Sequence, residues 1–357
     1  MTEKVRVGIL GCGNISKTYI DNINEKFSEY LEVVACADIN QEAADKAAMK
    51  CGCAFVCTYA EMLENEKVEV VLNLTNSWAH YETSLQALNA GKSVYSEKTL
   101  TLDREQANNL VETASVKNLK LGCAPDTFMG AGMQTIRAMM DAGTLGKISY
   151  VDTFIGMNVN NPNYALKKHG GILFDMAPYY IASLVNLLGP IRRVSGFAEK
   201  IAEKKTANGC EYELEIPSTT TSIVQFENGV IGNFTACNDT ISYIPKFEIY
   251  GTGGNAFAND PNHFSGELSV QLLGKDIEKI GYTHKYTDNY RGIGLVDMAC
   301  AMRFGGDFRA KGELARHIVD VLQSLWESKE TGKTVEIKYT CIQPEAVSIN
   351  GDKRWEF

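Results

Sequence analysis

The stretch VGILGCGNIS, Val7 to Ser16, decides how this chain is read: an apolar run breaks into two closely spaced glycines and then continues with helical periodicity. It is the pattern of a strand, a tight turn and a helix start. In a dinucleotide-binding turn the glycines have separate tasks. Gly11 permits the sharp bend, and Gly13, with Asn14 and Ile15 opening the helix, lets the backbone approach a pyrophosphate at the helix N-terminus. Ser16 stands where a third glycine is usual. Such a Gly-x-Gly-x-x-Ser is also compatible with a plain strand-to-helix turn, so its surroundings have to decide. A second apolar strand, LEVVACAD, ends at Asp38 about twenty-five residues past the turn, near the spacing at which a carboxylate receives the ribose hydroxyls of a dinucleotide. That carboxylate would repel a 2'-phosphate, and Ile39-Asn40 supply no arginine to reverse the preference. The expected cofactor is therefore NAD, with NADP less favoured.

A chain of 357 residues exceeds one ordinary core and implies two domains. Its formal net charge of -9 and the lack of any concentrated basic stretch argue against nucleic acid or an anionic membrane surface as partner, and for a small molecule. The start, MTEKVRVGIL, passes from charged residues straight into a short strand without the apolar core of a signal peptide. No run reads as long enough to cross a bilayer, so a cytoplasmic protein is expected. The ten cysteines are scattered, mostly inside apolar segments such as VVACAD and AFVCTY, as buried reduced thiols are. Cys51, Cys53 and Cys57 have neither paired CxxC spacing nor a neighbouring histidine, so no metal site is expected.

Past the first turn, strand and helix patterns alternate at short intervals. The strands are VRVGIL, LEVVACAD, a short AFVC, VEVVLNLT, KSVYSEK and LKLGCAP. The helices between them are 15–27, 41–50, 60–65, 79–90 and 103–117, the last capped by Asp103. This is an α/β fold, a Rossmann-type doubly wound parallel sheet over residues 1–124. Residues 125–357 form a second domain of α+β texture. A helix near 133–142 leads into long alternating segments of a large, open, mostly antiparallel sheet with one solvated face. One strong helix, Asp175 to Leu188, interrupts these segments, and a last helix, Gly312 to Ser328, precedes VEIKY.

Open parallel sheets bind ligands beyond the carboxyl ends of their strands, which here read Thr75-Asn76, Glu97-Lys98-Thr99 and Pro125-Asp126-Thr127. Lys98 in that row would hold a substrate hydroxyl and ease its proton away, although a surface lysine is the plainer reading. In GGILFDMAPYY, Asp175 and Tyr179 are four apart and share a helix face, and Pro178 requires that the helix begin near Asp175. Asp175 as a helix cap and Tyr179 as a core aromatic are the structural alternative. His80 reads as positioning backbone on the cofactor side. Asn158, Asn160, Tyr164 and His169 lie where polar groups and an aromatic would read a polyol. His317 reads as structural.

Taken together these residues resemble the glucose-fructose oxidoreductase, inositol dehydrogenase and rhizopine catabolism (Gfo/Idh/MocA) family. The resemblance rests on the Gly-rich turn, Thr75 with His80 five residues on, Glu97-Lys98, the Gly-Gly-x-Leu-x-Asp run ending at Asp175 with Tyr179 after it, and a terminal helix running into TGKTVEI. It implies a C-terminal sheet that makes homodimers or homotetramers, and NAD(P)-dependent oxidation of a sugar or cyclitol hydroxyl or the reverse reduction. The family's catalytic lysine maps to Lys98, its aspartate to Asp175, and its histidine or tyrosine to Tyr179. This chain departs from the family at Thr99 and Asn76, where proline is usual, and at Ala177, where glycine is usual. A phenol with an ordinary pKa of about 10 becomes a usable base beside a lysine ammonium and a nicotinamide cation. Tyr179 and Lys98 are then a proton-transfer pair with Asp175 orienting one of the partners; the alternative makes Lys98 the sole acid/base. Two further readings stay open, a dinucleotide and sugar sensor without turnover and a reductase of a small non-sugar carbonyl or cyclic diol.

Overall fold

The computed structural model describes residues 3–158, 170–207 and 209–349. The chain divides into two compact units. Among the described residues the first holds those up to Asp126 together with Asn289–Arg316, and the second holds Thr127–Asp288 and 317–349. The expected division at 124/125 had no such return of the chain to the first unit.

In the first unit β1 (Val5–Leu10), β2 (Leu31–Ala37), β3 (Val70–Asn73), β4 (Ser93–Ser96) and β5 (Leu121–Cys123) form a parallel sheet in the order β2-β1-β3-β4-β5. The helices α1 (Asn14–Glu25), α2 (Gln41–Cys51), α3 (Tyr59–Glu64), α4 (His80–Asn89) and α5 (Arg104–Val116) connect the strands. The strands read as near-continuous apolar runs because helices cover the sheet. Val5, Val7, Ile9, Val70, Val71, Leu72 and Val94 are all buried, each worth about 1.5–3 kcal/mol relative to exposure. Order reverses between β1 and β3, so their carboxyl ends flank the crevice where such sheets take ligands.

The expected strand AFVC shrinks to a single parallel bridge between Val56 and Cys36. Thr58 and Glu61 form a reciprocal capping box that starts α3 two residues later, which leaves no length for a strand. The unit also contains α8 (Ile293–Phe304), a helix that sequence periodicity does not announce. Residues 293–301 are buried on every side, so no amphipathic stripe marks the helix, and its start is a left-handed Gly292 without a side-chain cap. Arg309 anchors it: the guanidinium donates to Asp297 Oδ1 at 3.0 Å and the backbone N–H to Oδ2 at 2.8 Å, with both side chains buried.

The second unit is built on a mixed, mostly antiparallel sheet. Its strands are β6 (Ile148–Gly156), β7 (Ile191–Glu199), β10 (Thr219–Phe226), β11 (Ile231–Cys237), β12 (Ile244–Gly251), β13 (Gly254–Phe257), β14 (Leu268–Leu272), β15 (Glu278–Ile280) and β16 (Val335–Glu336). They lie in the order β15-β14-β13-β12-β6-β11-β10-β7-β16, and β6 runs parallel to β11. The hairpin β8 (Lys204–Ala207) and β9 (Cys210–Glu213) stands apart. Strand alternation divides the faces: Thr220, Ser222, Val224 and Phe226 point inward, whereas Phe197, Ile223 and Ile231 are exposed. Helix α6 (Ala131–Asp141) packs on α7 (Gly171–Leu188), which covers β10 and β11, and α9 (Gly312–Thr331) ends in this unit.

Two expectations about α7 are corrected. It starts at Gly171, not near Asp175, because left-handed Gly170 (φ 74°) caps it one turn earlier; Pro178 is accepted inside the helix at the loss of one hydrogen bond to the Phe174 carbonyl. It is also, against expectation, long and apolar enough to cross a membrane, but 94% of that stretch is buried. Its apolarity is that of a core helix.

Candidate active site

In the first unit the turn Gly11-Cys12-Gly13 joins β1 to α1. Gly11 has φ 92°, and a Cβ there would stand 2.7 Å from the Leu74 carbonyl, so glycine is required both by conformation and by close approach. Gly13 differs. Its φ is -78°, it is exposed with Asn14 at the start of α1, and no atom lies within 4 Å of an added Cβ. No side chain caps α1, and Ile15 is half-buried. Buried Ser16 donates to the Gly13 carbonyl at 2.6 Å. Asp38, just past β2, accepts the Cys12 N–H at 2.6 Å through Oδ2 and the Asn40 N–H at 2.7 Å through Oδ1, which fixes its carboxylate beside the turn.

Beyond β3 and β4 a buried network positions the other candidates. Asn73 at the end of β3 donates to Thr83 and Ser84 of α4 and accepts from the Thr75 hydroxyl at 2.7 Å; Asn76 is exposed. His80 is buried between two loops, with Nδ1 2.7 Å from the Thr99 carbonyl and Nε2 2.9 Å from the Thr75 carbonyl. Burial is the larger influence and lowers its pKa, while the two carbonyls and Glu97 act the other way. Glu97 accepts the Tyr19 phenol at 2.9 Å and the Lys98 N–H at 3.0 Å. Burial and then Glu97 raise the Tyr19 phenol well above its usual range, so it serves as a neutral donor. Lys98 is half-buried at the end of this row, and the Lys98–Thr99 peptide is cis.

Asp126, expected to meet substrate, has a different duty. It is 1% exposed, and Oδ2 accepts the N–H groups of Gly292 (2.9 Å) and Gly294 (3.0 Å) and the Tyr95 phenol (3.3 Å). Its carboxylate holds the start of α8, a segment whose return to this unit the sequence reading lacked. Burial raises its pKa against those two backbone donors.

In the second unit Asp175 and Tyr179 stand one turn apart on α7, Asp175 half-buried and Tyr179 8% exposed. Asp175 is an interior helix residue, which removes the capping alternative. Tyr179 is near enough to Tyr243 to act on it electrostatically, and the Tyr243 phenol donates to Asp260, whose Oδ2 lies 3.6 Å from His263 Nε2. Burial and Asp260 push Tyr243 upward. Sequence reasoning missed Tyr243 and Asp260. They sit in irregular segments, and only chain folding brings them to α7. Asn158 is exposed two residues past β6; Asn160, Tyr164 and His169 lie outside the described residues. His317 accepts the Ile191 N–H at 3.0 Å and is structural. Among the described residues no group of three or more His, Cys, Asp or Glu is arranged to hold a metal ion.

Comparison with known proteins bears on these features. The sequence model of the oxidoreductase family with NAD-binding Rossmann fold, GFO/IDH/MocA, matches residues 5–124, and that of the GFO/IDH/MocA C-terminal domain matches residues 133–257. The chain is 26% identical over 206 residues to Oxidoreductase P35 of Formosa agariphila, covering 54% of this chain and 64%, under two thirds, of that protein. It is 27% identical over 270 residues to trans-1,2-dihydrobenzene-1,2-diol dehydrogenase of Bos taurus, covering 75% of this chain and 78% of that one. Levoglucosan dehydrogenase in complex with NADH and levoglucosan has the same fold, with TM-score 0.84 and 18% identity over 94% of this chain and 100% of that chain. The two family models together span more than half of the sequence, and the chain belongs to the GFO/IDH/MocA oxidoreductase family.

Proposed function

We propose that this protein is an NAD-dependent oxidoreductase acting at a hydroxyl or ketone carbon of a sugar or cyclitol. What carries the reading is the space at Gly13. Neither backbone conformation nor packing demands glycine there, and the uncapped start of α1 faces that space, so a pyrophosphate fits where a Cβ would intrude. Gly11, Gly13, Asn14 and Ile15 would hold the pyrophosphate and Asp38 the ribose hydroxyls, which supports NAD over NADP. Thr75, Asn76, His80, Glu97 and Lys98 form the nicotinamide side of the site. A bound nicotinamide dinucleotide supplies the hydride acceptor or donor. Lys98 holds the substrate hydroxyl and carries its proton, Tyr179 exchanges that proton, and Asp175 orients the partners. The exposed Phe197, Ile223 and Ile231 support assembly of homodimers or homotetramers through the open sheet face, and a cytoplasmic location is part of the same reading.

The test is NADH binding followed by turnover on a panel of ketosugars, inositols and cyclic vicinal diols. Lys98→Met is expected to lower kcat by about 10²–10⁴-fold while NADH still binds. Tyr179→Phe should lower kcat as well; wild-type turnover in that variant assigns the proton to Lys98 alone. NADH binding without oxidation or reduction of anything in the panel overturns the enzyme reading in favour of a sensor. The identity to a dihydrodiol dehydrogenase favours a second reading, a cyclic diol as substrate, and activity confined to those members of the panel selects it.

A further inference from the structure

Cysteines far apart in sequence gather in the first unit beside the glycine turn. Cys36, 0% exposed near the end of β2, has its Sγ 3.8 Å from that of Cys51 at the end of α2. Cys12, the residue between Gly11 and Gly13, and Cys53 stand close enough to perturb the Cys36 thiol, while their own thiols donate to the Ala37 and Phe55 carbonyls and that of Cys57 to the Cys36 carbonyl. All are free thiols. Burial explains an inert cysteine one at a time; here the Cys36 and Cys51 sulfurs are also in contact, with Cys12 and Cys53 beside them. Access differs across the group, since Cys51 and Cys53 are half-exposed and Cys53 opens on a cavity of about 790 Å³ that Val33, Val34 and Phe55 also line. The neighbouring thiols, Cys36 first and then Cys51, draw the Cys53 thiol downward against burial while Cys12 and these same contacts push Cys36 upward, so the half-exposed sulfur is the one that reacts first and the buried one resolves.

We propose that this cluster is an oxidation site in which Cys53 reacts with a low-molecular-weight disulfide and Cys36 closes a protein disulfide with the Cys51/Cys53 segment, weakening the dinucleotide site. The Cys53 thiolate attacks one sulfur of glutathione disulfide, forming a mixed disulfide and releasing glutathione thiolate, which takes up a proton. Cys36 then attacks the Cys53 sulfur, and its proton leaves with the second glutathione. Two protein thiols are oxidised to one disulfide while glutathione disulfide is reduced to two glutathiones. Cys51, beside Cys36, can exchange into the same bond. The link to function rests on the dinucleotide reading above. Cys36 lies two residues before Asp38 and next to Ala37, whose carbonyl accepts the Cys12 thiol, and the Cys12 N–H donates to the Asp38 carboxylate, so drawing Cys36 toward the Cys51/Cys53 segment disturbs that anchor.

The full chain is equilibrated in glutathione buffers of stepped ratio, alkylated and digested with trypsin. The expected product joins the peptide 27–46, which carries Cys36, to the peptide 51–67, two hydrogens lighter than the reduced pair. Cys36→Ser abolishes it and Cys57→Ser does not. The oxidised chain should bind NADH about fivefold more weakly or worse, and by reciprocity saturating NADH should move the redox midpoint by about 20 mV toward more oxidising values. Oxidation that stops at a glutathione adduct, or that links only cysteines within 51–67, overturns the site. A Cys36 disulfide formed without change in NADH affinity overturns the coupling. If the reduced chain binds no NADH, the cofactor reading fails, and the peptide masses still decide whether the disulfide forms.

Discussion

Replacing His80 with phenylalanine tests whether this imidazole ties the two loops that carry Thr75 and Lys98. The ring nitrogens face the Thr99 carbonyl at 2.7 Å and the Thr75 carbonyl at 2.9 Å. A phenyl ring fills similar space and donates nothing. Thr99 is buried, so its carbonyl would lose its imidazole partner at about 1–3 kcal/mol; half-buried Thr75 recovers part of its loss from water, at about 0.5–1.5 kcal/mol. Burial favours the neutral ring, which donates one N–H to one of the two carbonyls, so the loss is about 1–3 kcal/mol in unfolding free energy, read from urea denaturation followed by fluorescence. His80→Gln, which restores an amide donor, should recover more than half of it. The same variants should lower kcat, because the Thr99 carbonyl lies one residue beyond Lys98. A His80→Phe protein that loses less than about 1 kcal/mol, or that equals His80→Gln, refutes the tie.

Two further perturbations separate the roles of neighbouring residues. Gly11→Ala should cost about 1–3 kcal/mol from the left-handed backbone alone, and more from the clash with the Leu74 carbonyl. Gly13→Ala should unfold within about 0.5 kcal/mol of wild type yet bind NADH about tenfold more weakly, as measured by calorimetry; equal affinity would leave the space at Gly13 without a ligand. His284 is buried, with Nε2 3.0 Å from the Val347 carbonyl and Nδ1 2.9 Å from the Thr283 hydroxyl, which suits a neutral ring, and burial lowers its pKa. As pH falls, the unfolded chain takes its proton first. The stability His284 contributes is therefore intact above about pH 6.5 and falls below it, by at most about 1.4 kcal/mol per pH unit. Urea denaturation at pH 7.5 and 5.5 should show a shallower loss in His284→Asn; equal losses in both proteins refute the assignment.

Much of the first unit could be read directly because its determinants are local. The glycine turn, the apolar strands and the caps at Asn40, Thr58 and Asp103 act within a few residues of themselves, and the helices fall within a residue or two of their expected bounds. The candidates Gly11, Gly13, Asp38, Thr75, His80 and Lys98 follow from the same logic, since strand ends are sequence-marked places. Helix α8 escaped because it is buried all round and carries no stripe. Asp126 was misassigned because the N–H groups that claim it come from Gly292 and Gly294, some 170 residues on.

The sequence alone therefore determined the strand and helix order, the glycine turn after the first strand, and the family, all written in local spacing and periodicity. Only the tertiary structure decided which polar groups are spoken for. It gave Asp126 to a helix start, His80 to two carbonyls, Tyr243 and Asp260 to the surroundings of Tyr179, and scattered cysteines to one another. The physical reason is that a buried polar atom takes its partner from whatever part of the chain folds against it, and no local pattern encodes that choice.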